Sequence, residues 1–448
     1  MTDSAGAAKW WQRAGDRVWV PVLCATVAFY AIVSQDLLLA GVPVKLPLLA
    51  LTLGAWLGHR RAQAPAQRPR FSFARSALWL AVAVPLLWTA VAAVDAAAGG
   101  GLAAIHPSYV LQHANRFAYV LLYFPLAELA RAGDGQRGRL VWIVPVFALC
   151  GVTFALWLAH QLAGVNYGPS SLPEKLFFGV IGSAGDGYRV FIGNQILLIP
   201  AVAVVLAALR ARGAELRTLV TLAVLLATAW ISHTRGIWLG LSVMALVMIA
   251  LGVELAPRWR RWRTWLGAAA ALILMLLLTL GPTGAIVGHP PLFGDLSNQT
   301  RSQEATPLYA AFRARPLLGS GLGAVLASGY NRDPARPWVF ELTYLQTLFQ
   351  MGALGLLAIL VFPVAVARSG ARRRNALAAL PRSLTDAGVG ALAGVLVTCA
   401  TNPFLFASFG MLAIVIAVVT VEQAVTEPER TAPAPVTATV PAAPAAAS

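Results

Sequence analysis

The sequence predicts an all-α integral membrane protein of about twelve transmembrane helices, with a large periplasmic loop before the last three. Two features of composition and one of pattern predict it. Of 448 residues, 58% are hydrophobic and only 12% charged, and the mean hydropathy is +0.70. Apolar runs of about 20 residues, the length a helix needs to cross hydrocarbon while satisfying its own backbone, recur along nearly the whole chain. These values exclude a soluble enzyme.

The elements follow in order. A polar cytoplasmic segment, 1–17, precedes an apolar run at 18–38 that is long enough to span and stay, so no cleavable signal is expected. Further runs lie at roughly 41–58, 76–97, 108–130, 140–163, 190–209, 217–233, 236–254 and 264–282. These complete nine spans over 18–282. The loop 283–338, with short helices such as one over Ser302 to Ala314, comes next. Spans ten to twelve, at 339–367, 384–401 and 403–425, fill 339–425, with Asn402 and Pro403 the break between the last two. An Ala-, Pro- and Thr-rich tail, 426–448, buries little and reads as disordered and cytoplasmic.

Basic residues give the orientation, because Lys and Arg near span ends are retained on the cytoplasmic side. With both termini in the cytoplasm, 24 of the 34 Lys and Arg fall inside, in clusters such as Arg372 to Arg374. Such clusters are read as anchors on anionic lipid. The net charge of +16 and pI near 10.8 then reflect membrane topology rather than nucleic-acid binding. Cys24, Cys150 and Cys399 all fall within spans, share no metal-ligand spacing and read as packing residues.

The exceptions to the topology rule are the informative cations. Lys175, Arg189, Arg235, Arg301, Arg313, Arg315, Arg332 and Arg336 fall outside, and Lys45 and Arg116 fall within spans. An intramembrane charge is costly, which makes Arg116 a candidate site residue. Gln112, Asn115, Arg116, Tyr119 and Tyr123 recur at helical spacing as one polar stripe. The bland alternative is that Arg116 snorkels or bonds a neighbouring helix's carbonyls. Arginines gathered at an outer membrane surface need an anionic partner, and the guanidinium fork suits phosphate. A lipid-linked diphosphate presents that group at that depth. Internal pairing with Asp and Glu is the competing account of Arg313, Arg332 and Arg336.

Three short motifs carry a resemblance. Ser232-His-Thr-Arg235-Gly236 opens a span. Thr300-Arg301 precedes Arg315-Pro-Leu-Leu-Gly319-Ser-Gly321-Leu-Gly323, and Glu341-Leu-Thr-Tyr344 through Gly352-Ala-Leu-Gly355 opens the next span. In order and placement these resemble the bacterial O-antigen ligase and O-antigen polymerase group of membrane glycosyltransferases. The resemblance implies transfer of a glycan from a polyprenyl-diphosphate carrier to an acceptor hydroxyl at the periplasmic face of the inner membrane. It implies no metal and no cofactor, because fixed guanidinium groups would hold the leaving diphosphate. Arg235 and Arg301 would bind that diphosphate, with Arg189, Arg116, Asn115, Tyr344 and His233 as further substrate contacts. Where the ligases start the last segment with His-Asn, this chain has Glu341, which becomes the expected base if burial raises its pKa. His233, beside Arg235, is the substitute. The missing histidine favours polymerisation of lipid-linked repeat units over ligation to lipid A core. From another class, a transporter of lipid-linked glycan or an anionic solute would also use twelve spans, but the arginines weight one face and no inverted repeat is visible.

Overall fold

The computed structural model describes residues 4–33, 38–39, 42–63, 70–97, 103–104, 106–132, 136–165, 167, 171, 173, 176, 181–183, 188–252, 296–326, 336–400 and 402–426. The apolar runs form helices: α1 (Ser4–Ile32), α2 (Lys45–Ala62), α3 (Ala74–Ala97), α4 (107–132), α5 (Gln136–Ala163) and α6 (Gly193–Arg212). After these come α7 (Leu216–Ser232), α8 (Arg235–Gly252), α9 (Leu296–Ala314), α10 (Thr343–Arg373), α11 (Ala379–Ala400) and α12 (Ser408–Thr426). Among the described residues, seven helical stretches are long and apolar enough to cross a membrane: Ala74–Ala97, Gly138–Ala163, Gly193–Arg212, Arg235–Gly252, Thr343–Ala376, Ala379–Ala400 and Ser408–Val425. This is a helical membrane architecture. The run expected at 264–282 lies outside the described residues, as do Lys175, Arg332 and the tail.

Helix α12 is the axis of the packing. Its residues from Ser408 to Val425 are buried throughout, against α4, α6 and α11. A helix apolar on every side belongs in the middle of a bundle rather than on its lipid face. By contrast, fewer than half of the residues of α3 and α8 are buried.

The polar stripe expected along α4 is not one face. A 3-10 turn at Ala118–Leu122 rotates the second half of the helix relative to the first, since each 3-10 residue turns further than an α residue. Gln112 is exposed and Asn115 and Arg116 are half-buried. Tyr119, however, packs edge-on against Tyr30, and the Tyr123 hydroxyl accepts from the Phe73 amide at 3.2 Å.

The arginines at one end of the bundle also depart from the expectation of lipid anchoring. Arg374 is buried and donates from Nε to Asp386 Oδ1 at 2.6 Å; Arg210 reaches the same carboxylate at 3.2 Å. Arg131 pairs with Glu422, and Arg60 lies 3.6 Å from Glu128. The Glu128 carboxylate also accepts from Trp56 Nε1 at 2.6 Å. The three carboxylates lie almost wholly inside the bundle, where an ion needs a partner to offset its lost hydration. These arginines meet that need, while Arg372 and Arg373 remain exposed.

Candidate functional site

The site is built at the other end of the bundle, where the long loop joins α10. Helix α9 starts six residues earlier than the expected Ser302 and carries Arg301 and Glu304 one turn apart. The Glu304 side chain is fully buried. Its Oε2 accepts from the amides of Glu341 at 2.9 Å and Leu342 at 3.4 Å. Amides at a helix start lack intrahelical acceptors, so a carboxylate there both caps α10 and fixes Glu341. Arg301 Nε then stands 2.9 Å from Glu341 Oε2, with the carboxylate 8% and the arginine 27% exposed.

The segment before α10 is pinned by two glutamines one turn apart. Gln346 accepts from the Phe340 amide at 3.1 Å and donates to the Trp338 carbonyl at 3.0 Å. Gln350 donates to Trp338 O at 3.1 Å and to Ala324 O at 2.9 Å. Polar side chains in buried helical positions thus replace the missing secondary structure of 338–342.

The Arg315–Gly323 turn is a second scaffold. Gly352 takes φ 66°, ψ −174° and breaks α10, and the turn supplies the lost backbone partners. Ser320 N and Gly321 N donate to the carbonyls of Phe349 and Gln350 at 2.9 and 2.8 Å. In return, Ala353 N and Leu354 N donate to Pro316 O and Leu317 O at 2.8 and 3.1 Å. Trp88 Nε1 takes up Met351 O at 2.8 Å. A Cβ on Gly352 would overlap the Leu317 carbonyl, and one on Gly323 would overlap the backbone of Tyr109 and Val110. Both glycines have positive φ, which an L side chain resists.

Arg235 is reached through the backbone. Thr398 Oγ1 donates to Gly236 O at 2.9 Å, Asn402 Nδ2 to Thr398 O at 3.1 Å, and Thr343 Oγ1 to Asn402 O at 2.8 Å. Thr343 N donates to Glu341 O at 2.9 Å. Four successive hydrogen bonds therefore join the start of Arg235's helix to the turn that holds Glu341. Arg235 itself is half-buried at the first position of α8. The break at Asn402 and Pro403, expected only to separate two spans, is the junction of this chain.

The remaining expected residues divide. Arg116 donates to Phe406 O at 2.8 Å and lies 5.0 Å above the Trp338 ring, so it does bond a neighbouring carbonyl, and it does so beside the site. Asn115 adjoins it. Lys45, buried at the start of α2, donates to Ser408 Oγ at 2.7 Å, so two cations flank the 402–407 turn. Tyr344 donates its hydroxyl to Leu396 O at 2.6 Å, which fastens α10 to α11. His233 takes the left-handed conformation (φ 46°) and closes α7, which gives it a turn-forming role. Arg189 lies in a short hairpin, paired in register with Gly182. Its neighbour Val190 packs with Ile231 near the end of α7. Of the other loop arginines, Arg313 is exposed, Arg336 half-buried, and Arg315 is ion-paired with the buried Asp95 at the end of α3.

Sequence reasoning gave no site role to Glu304, Asp95, Gln346, Gln350, Asn402 or His113. For Glu304 a signal existed, since it sits three residues after Arg301 on a predicted helix. For His113 there was the spacing to Arg116. No protein-family model matches the chain, and no curated protein matches it.

Proposed function

We propose that the protein is a metal-independent membrane glycosyltransferase of the O-antigen ligase and polymerase type, joining lipid-linked polysaccharide repeat units at the periplasmic face of a bacterial inner membrane. In this reading the chain crosses about twelve times, with both termini cytoplasmic. The observation that carries it is the meeting of Arg301 and Glu341 at 2.9 Å, a fixed cation and a buried carboxylate from separate elements, on a scaffold shared with Arg235.

The chemistry is a displacement. An acceptor sugar hydroxyl attacks the anomeric carbon of the donor, the bond from that carbon to the diphosphate oxygen breaks, and the lipid diphosphate leaves. Arg301 and Arg235 hold the diphosphate and stabilise the charge that grows on it. An arriving diphosphate competes with Glu341 for Arg301 and so releases a carboxylate oxygen toward the acceptor hydroxyl, whose proton it takes. Glu304 acts indirectly, by holding the Glu341 backbone. In this reading Arg116, with its guanidinium against Trp338, contacts the glycan as it reaches these groups.

Purified protein in lipid nanodiscs, supplied with lipid-diphosphate-linked glycan alone, is the test. Lengthened lipid-linked chains are expected, with Arg235→Lys and Arg301→Lys each lowering the rate about tenfold or more, because lysine offers phosphate a point charge without the fork. Product only when lipid A core is added would make the protein a ligase. No transfer to either acceptor would end the proposal.

A further inference from the structure

Close in sequence to Glu341 lies a cluster of aromatic rings whose nitrogens have no hydrogen-bond partner among the described residues. His113 is fully buried, and among the described residues neither Nδ1 nor Nε2 has a hydrogen-bond partner. Trp338 is also fully buried, and its Nε1 is equally unsatisfied. The two rings stack, centroids 5.1 Å apart and planes at 24°. Phe406 meets the imidazole edge-on at 4.6 Å, and Phe117 lies 6.1 Å away. Three heterocyclic nitrogens thus sit unpaired in one contact, where each forfeits its hydration and gains nothing. Phenylalanine in either place would give the same stack without that cost.

The backbone around Trp338 is held firmly, by Gln346 and Gln350 on its carbonyl, while its fully buried ring stacks on His113 and lies under the Arg116 guanidinium. Neither of those bonds involves the indole, so a turn of the ring leaves both in place. Once the ring turns, an indole N–H, an imidazole and the guanidinium of Arg116 face one space, with Asn115 on the same helix. An aromatic face next to several planar donors and one acceptor suits a pyranose, whose C–H face stacks on a ring while its rim of hydroxyls takes hydrogen bonds. Trp338 is three residues from Glu341, which brings a sugar at this place next to the reacting groups.

We propose that the His113–Trp338 stack is the closed form of a sugar-ring subsite for the lipid-linked glycan. When a pyranose enters, Trp338 turns from His113 onto the sugar, and the three ring nitrogens exchange an empty contact for sugar hydroxyls. This subsite rests on the glycosyltransferase reading, but it depends on different residues from those that grip the diphosphate.

The test compares two probes on the full-length protein in nanodiscs. Farnesyl diphosphate carries the lipid and diphosphate without a sugar. The lipid-diphosphate-linked repeat unit, extracted from cells that make this protein, carries all three parts. His113→Phe keeps the stack and removes both nitrogens; Trp338→Phe keeps a ring and removes the N–H. Melting temperature is expected to hold or rise in His113→Phe, and farnesyl diphosphate to bind within twofold of wild type. Affinity for the glycan-bearing lipid is expected to fall at least tenfold, toward that of farnesyl diphosphate. Should His113→Phe fail to fold, Trp338→Phe carries the same comparison. Binding of the glycan-bearing lipid within twofold of wild type by the folded variants would overturn the subsite alone. So would a wild-type protein that binds both probes equally. A wild-type protein that binds neither would overturn the glycosyltransferase reading and the subsite with it.

Discussion

Removing Arg301 should destabilise the fold, and removing Glu341's charge as well should restore part of the loss. In Arg301→Ala, Glu341 and Glu304 remain as neighbouring carboxylates, 8% and 0% exposed, without the cation that stands 2.9 Å from the first of them. Breaking a buried pair from one side costs about 3–5 kcal/mol. Arg301 is 27% exposed, so water already screens part of the attraction, and the lower end of about 3 kcal/mol applies. At roughly 2.1 cal/mol/K per residue of unfolding entropy, a chain of this length shifts by about 1 °C per kcal/mol. The single variant should therefore melt about 3 °C lower. Arg301→Ala with Glu341→Gln removes one of the two stranded charges while keeping the shape of the side chain, and should recover about half of that. Intrinsic tryptophan fluorescence on heating at neutral pH, with 14 tryptophans to report, resolves such steps. Identical melting of wild type, single and double variants would refute the reasoning, because it would mean that the pair is no more than a surface contact.

Three further outcomes are expected. Asp386→Ala leaves Arg374 buried beside an empty place and should destabilise by about 3 kcal/mol; Asp386→Asn should cost less, and chemical denaturation in mild detergent separates the two. Gly352→Ala should fold poorly, since a left-handed alanine costs about 1–2 kcal/mol before its overlap with the Leu317 carbonyl is relieved; fluorescence-detected size exclusion gives the yield of folded protein. Gln346→Leu leaves the buried Phe340 amide without its 3.1 Å acceptor, a loss of about 1–3 kcal/mol. It should also slow glycan transfer more than a distant substitution of equal cost, which a transfer assay on matched variants decides.

The helices were legible because each apolar run is a local property, and hydrocarbon permits little else at that length. The positions of Arg301 and Glu341 were legible as a motif and a departure from it; that they touch was not, since 39 residues, part helix and part loop, lie between them. Asn402 shows the limit most clearly. In the sequence it is a break between spans, whereas in the fold it joins Thr398 to Thr343, a relation set by how α10 and α11 pack. The inward turn of Arg374, Arg131 and Arg60 was missed for the opposite reason. Counting cations by loop ignored Glu128, Asp386 and Glu422, whose burial makes a demand on nearby arginines that lipid headgroups do not. His113 was hidden by its surroundings, which come from residues 338 and 406, more than two hundred positions away.

The interrupted tenth helix has a bearing on how this protein is made. Two carbonyls and two amides at its break find their counterparts in a stretch of chain that reaches them only after the long hydrophilic excursion has folded back. Until that return, the segment cannot settle in lipid without baring peptide groups to hydrocarbon. Closure of the excursion therefore supports insertion of this span, and excising it would strip the span of these backbone partners as well as removing Arg301.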